Sequence, residues 1–318
     1  MLSEEDQIAY REMTAGAAFV SLSGWTVIKL NGSDRQSFLH SFCTAEIKGL
    51  QSGHTTEAFI LNTKGKTLGH VYVLALDECL LLLTAPEQFS TLHEHLDMFV
   101  IREDVAIEDL TDEFALFFIS GNHQSGRLSE MAGHLPAANQ IKQVEDAEIG
   151  YIASLDLAGQ GFVVFCDQQN IQQIQARFVD AKIHEAGAVV FDIVRIENST
   201  PKFGADITDG NLPQEMQRDD KTISFNKGCY LGQETVARID ALGHVNRLFV
   251  QLEFDAQPTT GDELTIAEKK SGIVTSVCWS PSREKWLGLG FVRRNDASDG
   301  TLLDFSAGSA RVVASENS

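Results

Sequence analysis

A cysteine within a glycine-rich run is the strongest chemical signal in the sequence. Cys229 lies in residues 226–238, which read Asn-Lys-Gly-Cys-Tyr-Leu-Gly-Gln-Glu-Thr-Val-Ala-Arg. Glycines on both sides of a Cys-Tyr pair predict a tight turn, and the residues after the second glycine can begin a helix. The motif residues around the cysteine are Lys227, Gly228, Tyr230, Gly232, Gln233 and Glu234. We therefore predict an ordered turn that carries a thiol, with Cys229 as the candidate catalytic residue.

The thiol of Cys229 has two interpretations. Lys227 beside it and a helix N-terminus after it would both favour the thiolate, which is the nucleophilic and metal-binding form. A free cysteine is more often a small buried hydrophobic residue. Spacing alone leaves both interpretations open.

Two further positions have the chemistry to bind a ligand. Residues 221–247 are locally basic on an acidic chain, which indicates an anionic ligand group or a solvated surface. Glu197 ends the apolar run 188–196. A buried carboxylate is costly unless donors pair with it, and an aminopyrimidine ring offers two matched N–H groups. The alternative partner is an arginine such as Arg195.

The cysteines and histidines predict no metal site. The five cysteines are odd in number, far apart and without a CxxC pair, which argues against a disulfide framework or a closed zinc or iron–sulfur site made by one chain. The run His93-Glu94-His95 falls in a predicted helix, where residues two apart point in different directions. A solvated helix face explains it better than a metal.

Length and charge limit the functional classes. The chain has 318 residues, of which 43% are hydrophobic, enough for two or three domains. Acidic residues outnumber basic ones 45 to 25, so direct binding to nucleic acid is disfavoured. No stretch approaches the roughly 20 apolar residues of a membrane span, and residues 1–10 carry acids where a leader would be basic. We expect a cytoplasmic protein.

The elements predict an α+β fold with three lobes. Strands at 25–30, 56–61, 67–76, 79–84 and 105–110, a helix capped by Ser33 and a helix after Pro86 form a first lobe, residues 1–112. A similar alternation, ending in a buried helix over 188–196, forms a second lobe, residues 113–242. Its irregular segment 198–232 is long enough to be functional. Short strands in residues 243–318 predict a β-barrel.

Several segments together resemble the signature of the glycine-cleavage T-protein (aminomethyltransferase) superfamily. They are residues 195–197, 201–208, 212–215 and 227–238. The resemblance implies a three-lobed, cloverleaf-like arrangement of two ferredoxin-like α+β lobes and a C-terminal β-barrel, with tetrahydrofolate or a derivative in a central hole. It also implies that Glu197 binds the pterin and that Arg238 lies at or near the folate pocket.

The chain departs from the transferases of this superfamily at one place. Those enzymes carry paired aspartates after a glycine-containing turn, and one of them is needed for aminomethyl transfer. Here residues 61–70 read Leu-Asn-Thr-Lys-Gly-Lys-Thr-Leu-Gly-His, without a carboxylate. Loss of such a group would be expected to slow the reaction by about 100-fold or more. His70 could replace the acid as a base, but a histidine on a strand is more often structural.

The Lys-Gly-Lys turn and the Cys229 motif instead resemble YgfZ-type members, which support iron–sulfur enzymes. The sequence therefore predicts a folate-binding accessory protein for iron–sulfur cluster assembly or repair. Its expected partners are folate and iron–sulfur client or assembly proteins, with any link to tRNA modification being indirect. The alternatives are a one-carbon transferase whose acid lies elsewhere in the chain, and an interaction module that has lost the ligand.

Overall fold

The structure is a computed structural model that describes residues 2–146 and 148–313. The outer limits of the predicted first and third domains, residues 1 and 318, lie outside the described residues. The helices are α1 (Glu4–Ala15), α2 (Arg35–His40), α3 (Phe89–Asp97), α4 (Gln124–Ala132), α5 (Ile171–Asp180), α6 (Ala188–Glu197), α7 (Asp219–Thr222) and α8 (Gln233–Leu242).

The strands form two open sheets and one closed barrel. They are β1 (Ala18–Ser21), β2 (Trp25–Asn31), β3 (Thr55–Leu61), β4 (Thr67–Ala75), β5 (Leu80–Pro86), β6 (Ala106–Asp109), β7 (Phe114–Ser120), β8 (Ile141–Asp146), β9 (Ile149–Asp156), β10 (Gln160–Asp167), β11 (His184–Glu185), β12 (Arg247–Phe254), β13 (Glu263–Ile266), β14 (Lys269–Ser280), β15 (Lys285–Arg293), β16 (Leu302–Phe305) and β17 (Gly308–Val313).

The first sheet has the order β3-β4-β5-β2-β6 and is antiparallel. Its strands β4 and β5 are largely apolar because both of their faces are buried, whereas the edge strand β6 is mostly exposed. On β4, Val71 and Val73 pack with the helices α2 and α3, whereas Tyr72 and Leu74 join a central core. This alternation follows the two-residue period of a strand.

The second sheet has the order β11-β1-β7-β10-β9-β8. On β7, Phe117 and Ile119 pack with α4 and α5 on the outer face, and Leu116 and Phe118 face the central core. The N-terminal strand β1 pairs with β7 and β11 of this sheet, although it precedes the first sheet in the chain. Residues 1–112, predicted as the first lobe, therefore contribute a strand to the second sheet as well.

The C-terminal barrel closes through the pairing of β12 with both β15 and β17. Phe249, Leu287, Leu289 and Phe291 connect the barrel to the central core that the two sheets share. The predicted α+β fold with a C-terminal barrel is thus confirmed. Within the part of the chain that is described, no helix combines the length and the apolar character needed to cross a membrane.

Two local features differ from the sequence prediction. The N-cap of α2 is Asp34 rather than Ser33, because the backbone N–H and the hydroxyl of Ser33 both donate to Asp104. The helix α1 was not predicted, although Ser3 caps it by accepting from the backbone N–H of Asp6. Its packing against α6 is a long-range contact that sequence periodicity does not show.

Candidate functional site

The cysteine motif docks onto the first lobe. Gly232 has φ +81°, and a Cβ added there would lie 2.7 Å from the carbonyl oxygen of Asn62. The turn of the first lobe that faces Gly232 also has no room for a side chain, because a Cβ on Gly65 would lie 2.6 Å from the Cβ of Thr235. The hydroxyl of Thr235 also donates to the carbonyl of Lys64 at 3.1 Å. Both glycines are required because the two backbones approach closely.

The ammonium of Lys227 is bound by backbone oxygens. Its Nζ donates to the carbonyls of His40, Cys43 and Ala45, at 2.7, 2.8 and 2.6 Å. It also lies 4.8 Å from the centroid of the Tyr230 ring. Burial lowers the pKa of Lys227, whose charge is balanced by carbonyl dipoles. Through these contacts Lys227 joins the motif to the end of α2. The sequence had suggested a different role for Lys227, activation of the neighbouring thiol.

Cys229 is exposed, whereas Cys43, Cys79, Cys166 and Cys278 are buried. The interpretation of Cys229 as a small buried hydrophobic residue is therefore wrong. Around it, the backbone N–H of Tyr230 donates to the side chain of Gln233, and the backbone N–H of Leu231 donates to the carbonyl of Ser41. Glu234 is exposed in the first turn of α8. One bond within the motif and one to Ser41 thus hold the backbone in place and leave the thiol accessible.

The carboxylate of Glu197 is held by hydroxyl groups. The Tyr10 hydroxyl lies 2.9 and 2.8 Å from the two carboxylate oxygens, and Ser280 and Ser282 donate to Oε1. Burial is the main cause that raises the pKa of Tyr10, and the nearby Glu197 raises it further. The alternative salt bridge to Arg195 is wrong. That guanidinium pairs with Asp192 and Asp206.

An acid does lie beside His70, contrary to the expectation from residues 61–70. Glu57 comes from the neighbouring strand β3, and its Oε1 is 2.6 Å from Nε2 of His70. Arg218 donates to both oxygens of Glu57 at 2.7 Å. Although burial acts in the opposite direction, Arg218 and His70 hold the pKa of Glu57 well below its usual range. Glu57 is therefore a bonded carboxylate that stays ionised at neutral pH rather than a free base.

Sequence reasoning missed Glu57 because the contact joins two strands. Its one local signal was a carboxylate within an otherwise neutral strand, Thr-Thr-Glu-Ala-Phe-Ile-Leu, with no partner identifiable in the sequence. His70 is occupied by this contact, which agrees with a structural histidine. The space next to His70 is also small, a cavity of about 20 Å³ bordered by Trp25, Phe191 and Phe203.

A much larger cavity, of about 460 Å³, lies between the second lobe, the segment 198–232 and the barrel. We call it the central cavity. Its wall includes Asp156, Asn198, Arg218, Asp220, Lys221 and Phe249. Lys221 donates to Asp156 at 2.6 Å, and Arg218 connects the wall to the buried Glu57. The central cavity therefore combines two cations, several carboxylates and an aromatic ring.

Neither predicted folate ligand lines the central cavity. The side chain of Glu197 contacts α1 and the barrel, although Gln251 in the cavity wall donates to its backbone carbonyl at 3.0 Å. Arg238 is exposed on α8. The roles assigned to Glu197 and Arg238 in folate binding stay predictions.

The described residues contain no group of three or more His, Cys, Asp or Glu side chains that could hold a metal ion. Cys229 is accordingly the candidate for chemistry at the motif, and the central cavity is the candidate for binding a small molecule.

Comparisons with known proteins place the chain in a family. The model of the GCVT N-terminal domain matches residues 7–227, and that of the glycine cleavage T-protein C-terminal barrel domain matches residues 247–315. The structure is similar to the crystal structure of aminomethyltransferase T from Bartonella henselae, with a TM-score of 0.87 at 17% identity over 96% of this chain and 88% of that one. This likeness confirms the predicted T-protein-like fold.

Two relatives are similar along most of their sequence. A chloroplastic protein of Arabidopsis thaliana, provisionally named as a transferase, is 23% identical over 94% of this chain and 71% of its own. The tRNA-modifying protein YgfZ of Blochmanniella pennsylvanica is 25% identical over 85% of each chain. The chain therefore belongs to the glycine cleavage T-protein superfamily, and within it resembles the YgfZ proteins.

Proposed function

We propose that this chain binds a reduced folate in the central cavity and supports iron–sulfur proteins through Cys229, without transferring an aminomethyl group itself. The observation that carries the proposal is the combination of a 460 Å³ cavity with a fully bonded Glu57 behind it. A cavity large enough for a small molecule is present, while both oxygens of Glu57, the acid beside His70, are already bonded.

The central cavity suits a folate in size and chemistry. Its volume falls in the range of about 300–1,000 Å³ that is typical of small-molecule sites. Phe249 and Met216 are apolar residues of the wall, but both are almost fully buried and can offer the pterin only a small contact, whereas the exposed carboxylate of Asp220 can accept from its N–H groups. Lys221, an exposed cation in the same wall that pairs with Asp156, can also attract the carboxylates of the glutamate tail.

The alternative position for the pterin is Glu197. An aminopyrimidine pairs with a carboxylate through both oxygens, and the Tyr10 hydroxyl already lies across both. A pterin at Glu197 would therefore have to displace Tyr10. Tyr10→Phe removes this competing hydroxyl and so distinguishes binding in the central cavity from binding at Glu197. Folate affinity should stay within about twofold if the pterin binds in the central cavity, and should rise if it pairs with Glu197.

Folate binding itself is tested by calorimetry with tetrahydrofolate under anaerobic conditions. Lys221→Ala should weaken binding about fivefold, because a partly exposed charge pair is worth about 1 kcal/mol. Lys269→Ala, an exposed lysine of the barrel, is the matched control and should leave the affinity unchanged. Absence of both a binding heat and a rise in melting temperature at millimolar folate would favour the interaction module.

The iron–sulfur role is tested through Cys229 in cells that lack the native protein. One thiolate cannot hold a cluster alone, so a client protein has to supply the other ligands. Cys229→Ser should fold normally, because the side chain is exposed, and should fail to restore iron–sulfur enzyme activity. Equal protein levels on an immunoblot exclude loss by degradation. Full restoration by the variant would remove Cys229 from the function.

A folate-dependent one-carbon transferase is the second candidate, favoured by the acid beside His70. Glu57 could assist transfer only if Arg218 released it, since a carboxylate with a strongly lowered pKa is a weak base. The assay mixes the protein with tetrahydrofolate and an aminomethyl-lipoyl carrier protein. Steady formation of methylene-tetrahydrofolate that is lost in Glu57→Gln would establish the transferase over the accessory role.

A further inference from the structure

A polar cleft of about 520 Å³ opens at one end of the second sheet. It lies where β7 ends and residues 121–123 lead into α4, beside α1 and the turn between β9 and β10. We call it the serine cleft. None of the described residues that line it is charged, although the chain has a net charge of −20. Its polar lining residues include Thr14, Ser120, Asn122, Gln124, Ser125 and Gln160.

Ser120 is a buried residue with a free hydroxyl in the serine cleft. It is 7% exposed, and its hydroxyl has no hydrogen-bond partner among the described residues. Because alternate residues of a strand share a face, Ser120 lies on the same face of β7 as Leu116 and Phe118. Met13 of α1 and Val194 of α6 pack in the core on that face and also border the cleft. The hydroxyl is therefore directed into the cleft, where its oxygen is not enclosed.

The nine-residue helix α4 begins at the serine cleft with free backbone donors. Gln124 and Ser125 are its first two residues, and both border the cleft. In the described part of the chain, no side chain caps this helix end, and the backbone N–H groups of Ser125 and Gly126 have no acceptor. Such a helix end carries partial positive charge and binds anions through its N–H groups. A Cβ added at Gly126 would meet nothing within 4 Å, so the space beside it is open.

The charges around the serine cleft do not oppose an anion. Residues 121–123 pass close to Glu12, since a Cβ added at Gly121 would lie 2.6 Å from the backbone carbonyl oxygen of Glu12. The carboxylate of Glu12 is 3.5 Å from a guanidinium nitrogen of Arg127 and 3.9 Å from the ring of His184. The pair with Arg127 largely neutralises it, and physiological salt screens the more distant acids beyond about 8 Å.

We propose that the serine cleft binds a phosphate group, either free or in a small ester. The phosphate oxygens accept from the backbone N–H groups of Ser125 and Gly126 and from the hydroxyl of Ser120. The volume of 520 Å³ leaves room for the organic part of an ester. The proposal does not depend on folate. Asn198 borders both the serine cleft and the central cavity, but none of the proposed contacts involves it.

The test is a titration of the full chain, followed by its amide signals in NMR spectra at pH 7.5 and constant ionic strength. Inorganic phosphate and ribose 5-phosphate are the two probes, and ribose is the uncharged control. We expect saturable shifts of the amide signals of Ser125 and Gly126 with a Kd of about 1–10 mM for at least one phosphate probe, and at least about tenfold weaker binding of ribose. Tighter binding of ribose 5-phosphate would identify an ester as the ligand, and equal binding would identify the free anion.

Variants locate the binding. Ser125→Asp places a carboxylate in the first turn of α4, where it suits the helix dipole but repels phosphate, and should weaken binding at least about tenfold without lowering the melting temperature. Ser129→Asp, an exposed residue one turn later on α4, is the matched control and should weaken binding no more than about twofold. Ser120→Ala should weaken binding about fivefold, the loss expected for one hydrogen bond, and should not lower the melting temperature because its hydroxyl has no partner to lose.

Three results would overturn the proposal. The first is no saturable shift of the Ser125 and Gly126 amide signals with either phosphate probe up to about 50 mM. The second is binding of ribose as tight as that of ribose 5-phosphate, which would indicate a sugar site. The third is equal phosphate binding by the native chain and either Ser125→Asp or Ser120→Ala, which would place the phosphate outside the serine cleft.

Discussion

Replacing Lys227 with methionine tests whether this residue supports the motif or activates the thiol beside it. The change keeps most of the aliphatic side chain and removes the ammonium, so the carbonyls of His40, Cys43 and Ala45 lose their donor. Three hydrogen bonds at about 1 kcal/mol each give a loss of about 3 kcal/mol in the free energy of unfolding. Because unfolding entropy is about 2.1 cal/mol/K per residue, a chain of 318 residues should melt about 4–5 °C lower.

Two measurements on the same samples decide between the interpretations. Differential scanning calorimetry gives the melting temperature, and the rate of alkylation of Cys229 at pH 7 reports on its thiolate. We expect the lower melting temperature together with an alkylation rate that is unchanged or higher, since a loosened turn exposes the thiol further. Lys64→Met removes the same charge from the adjoining turn and should shift the melting temperature by less than about 1 °C. The reasoning would be refuted if Lys227→Met kept its melting temperature and its Cys229 was alkylated several-fold more slowly, while Lys64→Met was alkylated at the normal rate.

Three further predictions concern backbone, buried charge and pH. Gly232→Ala should cost about 2 kcal/mol more in unfolding free energy than Gly243→Ala, because both have positive φ but the added methyl group meets atoms only at Gly232; urea unfolding compares them. Glu57→Gln should cost about 3 kcal/mol, because the buried Arg218 then keeps only the more distant Asp156, at 3.8 Å, as a counterion, and adding Arg218→Met should recover at least about 1 kcal/mol in a double-mutant cycle. Asp219→Asn should raise stability by about 1 kcal/mol at pH 8, after allowance for its partial exposure. The raised pKa means that the folded state holds this proton more tightly, so the gain should shrink as pH falls from about 6 to 4 and vanish below that.

The sequence predicted elements whose signals are local. The apolar run at 188–196 matches α6, and the turn-separated strands after residue 243 match the barrel, because hydrophobic period and turn residues determine both. The lobe boundaries were harder to predict from the sequence. Strand β1 joins the second sheet through pairing with β7 and β11, about 100 and 165 residues away along the chain, and no local pattern encodes such a partner.

The candidate site shows the same division between local and long-range signals. The run around Cys229 was found because its glycines and its cysteine are adjacent, and the exposure of the thiol agrees with a functional cysteine. The partners of its neighbours were not predictable. Lys227 is bound by carbonyls more than 180 residues earlier in the chain, and Glu197 is bound by Tyr10 from a helix that the sequence analysis did not identify. Residue type alone therefore suggested chemistry for these side chains but could not predict the contacts that hold them.

The most direct test of the central claim is a crystal structure of the protein with 5-formyltetrahydrofolate, a stable reduced folate. The account predicts the pterin within the central cavity, against Phe249 and near Asp220, with the Tyr10 hydroxyl still bonded to Glu197 and Arg218 still bonded to Glu57. Electron density for the pterin paired with Glu197 in place of Tyr10, or a ligand that frees Glu57 from Arg218 and approaches it, would contradict the account.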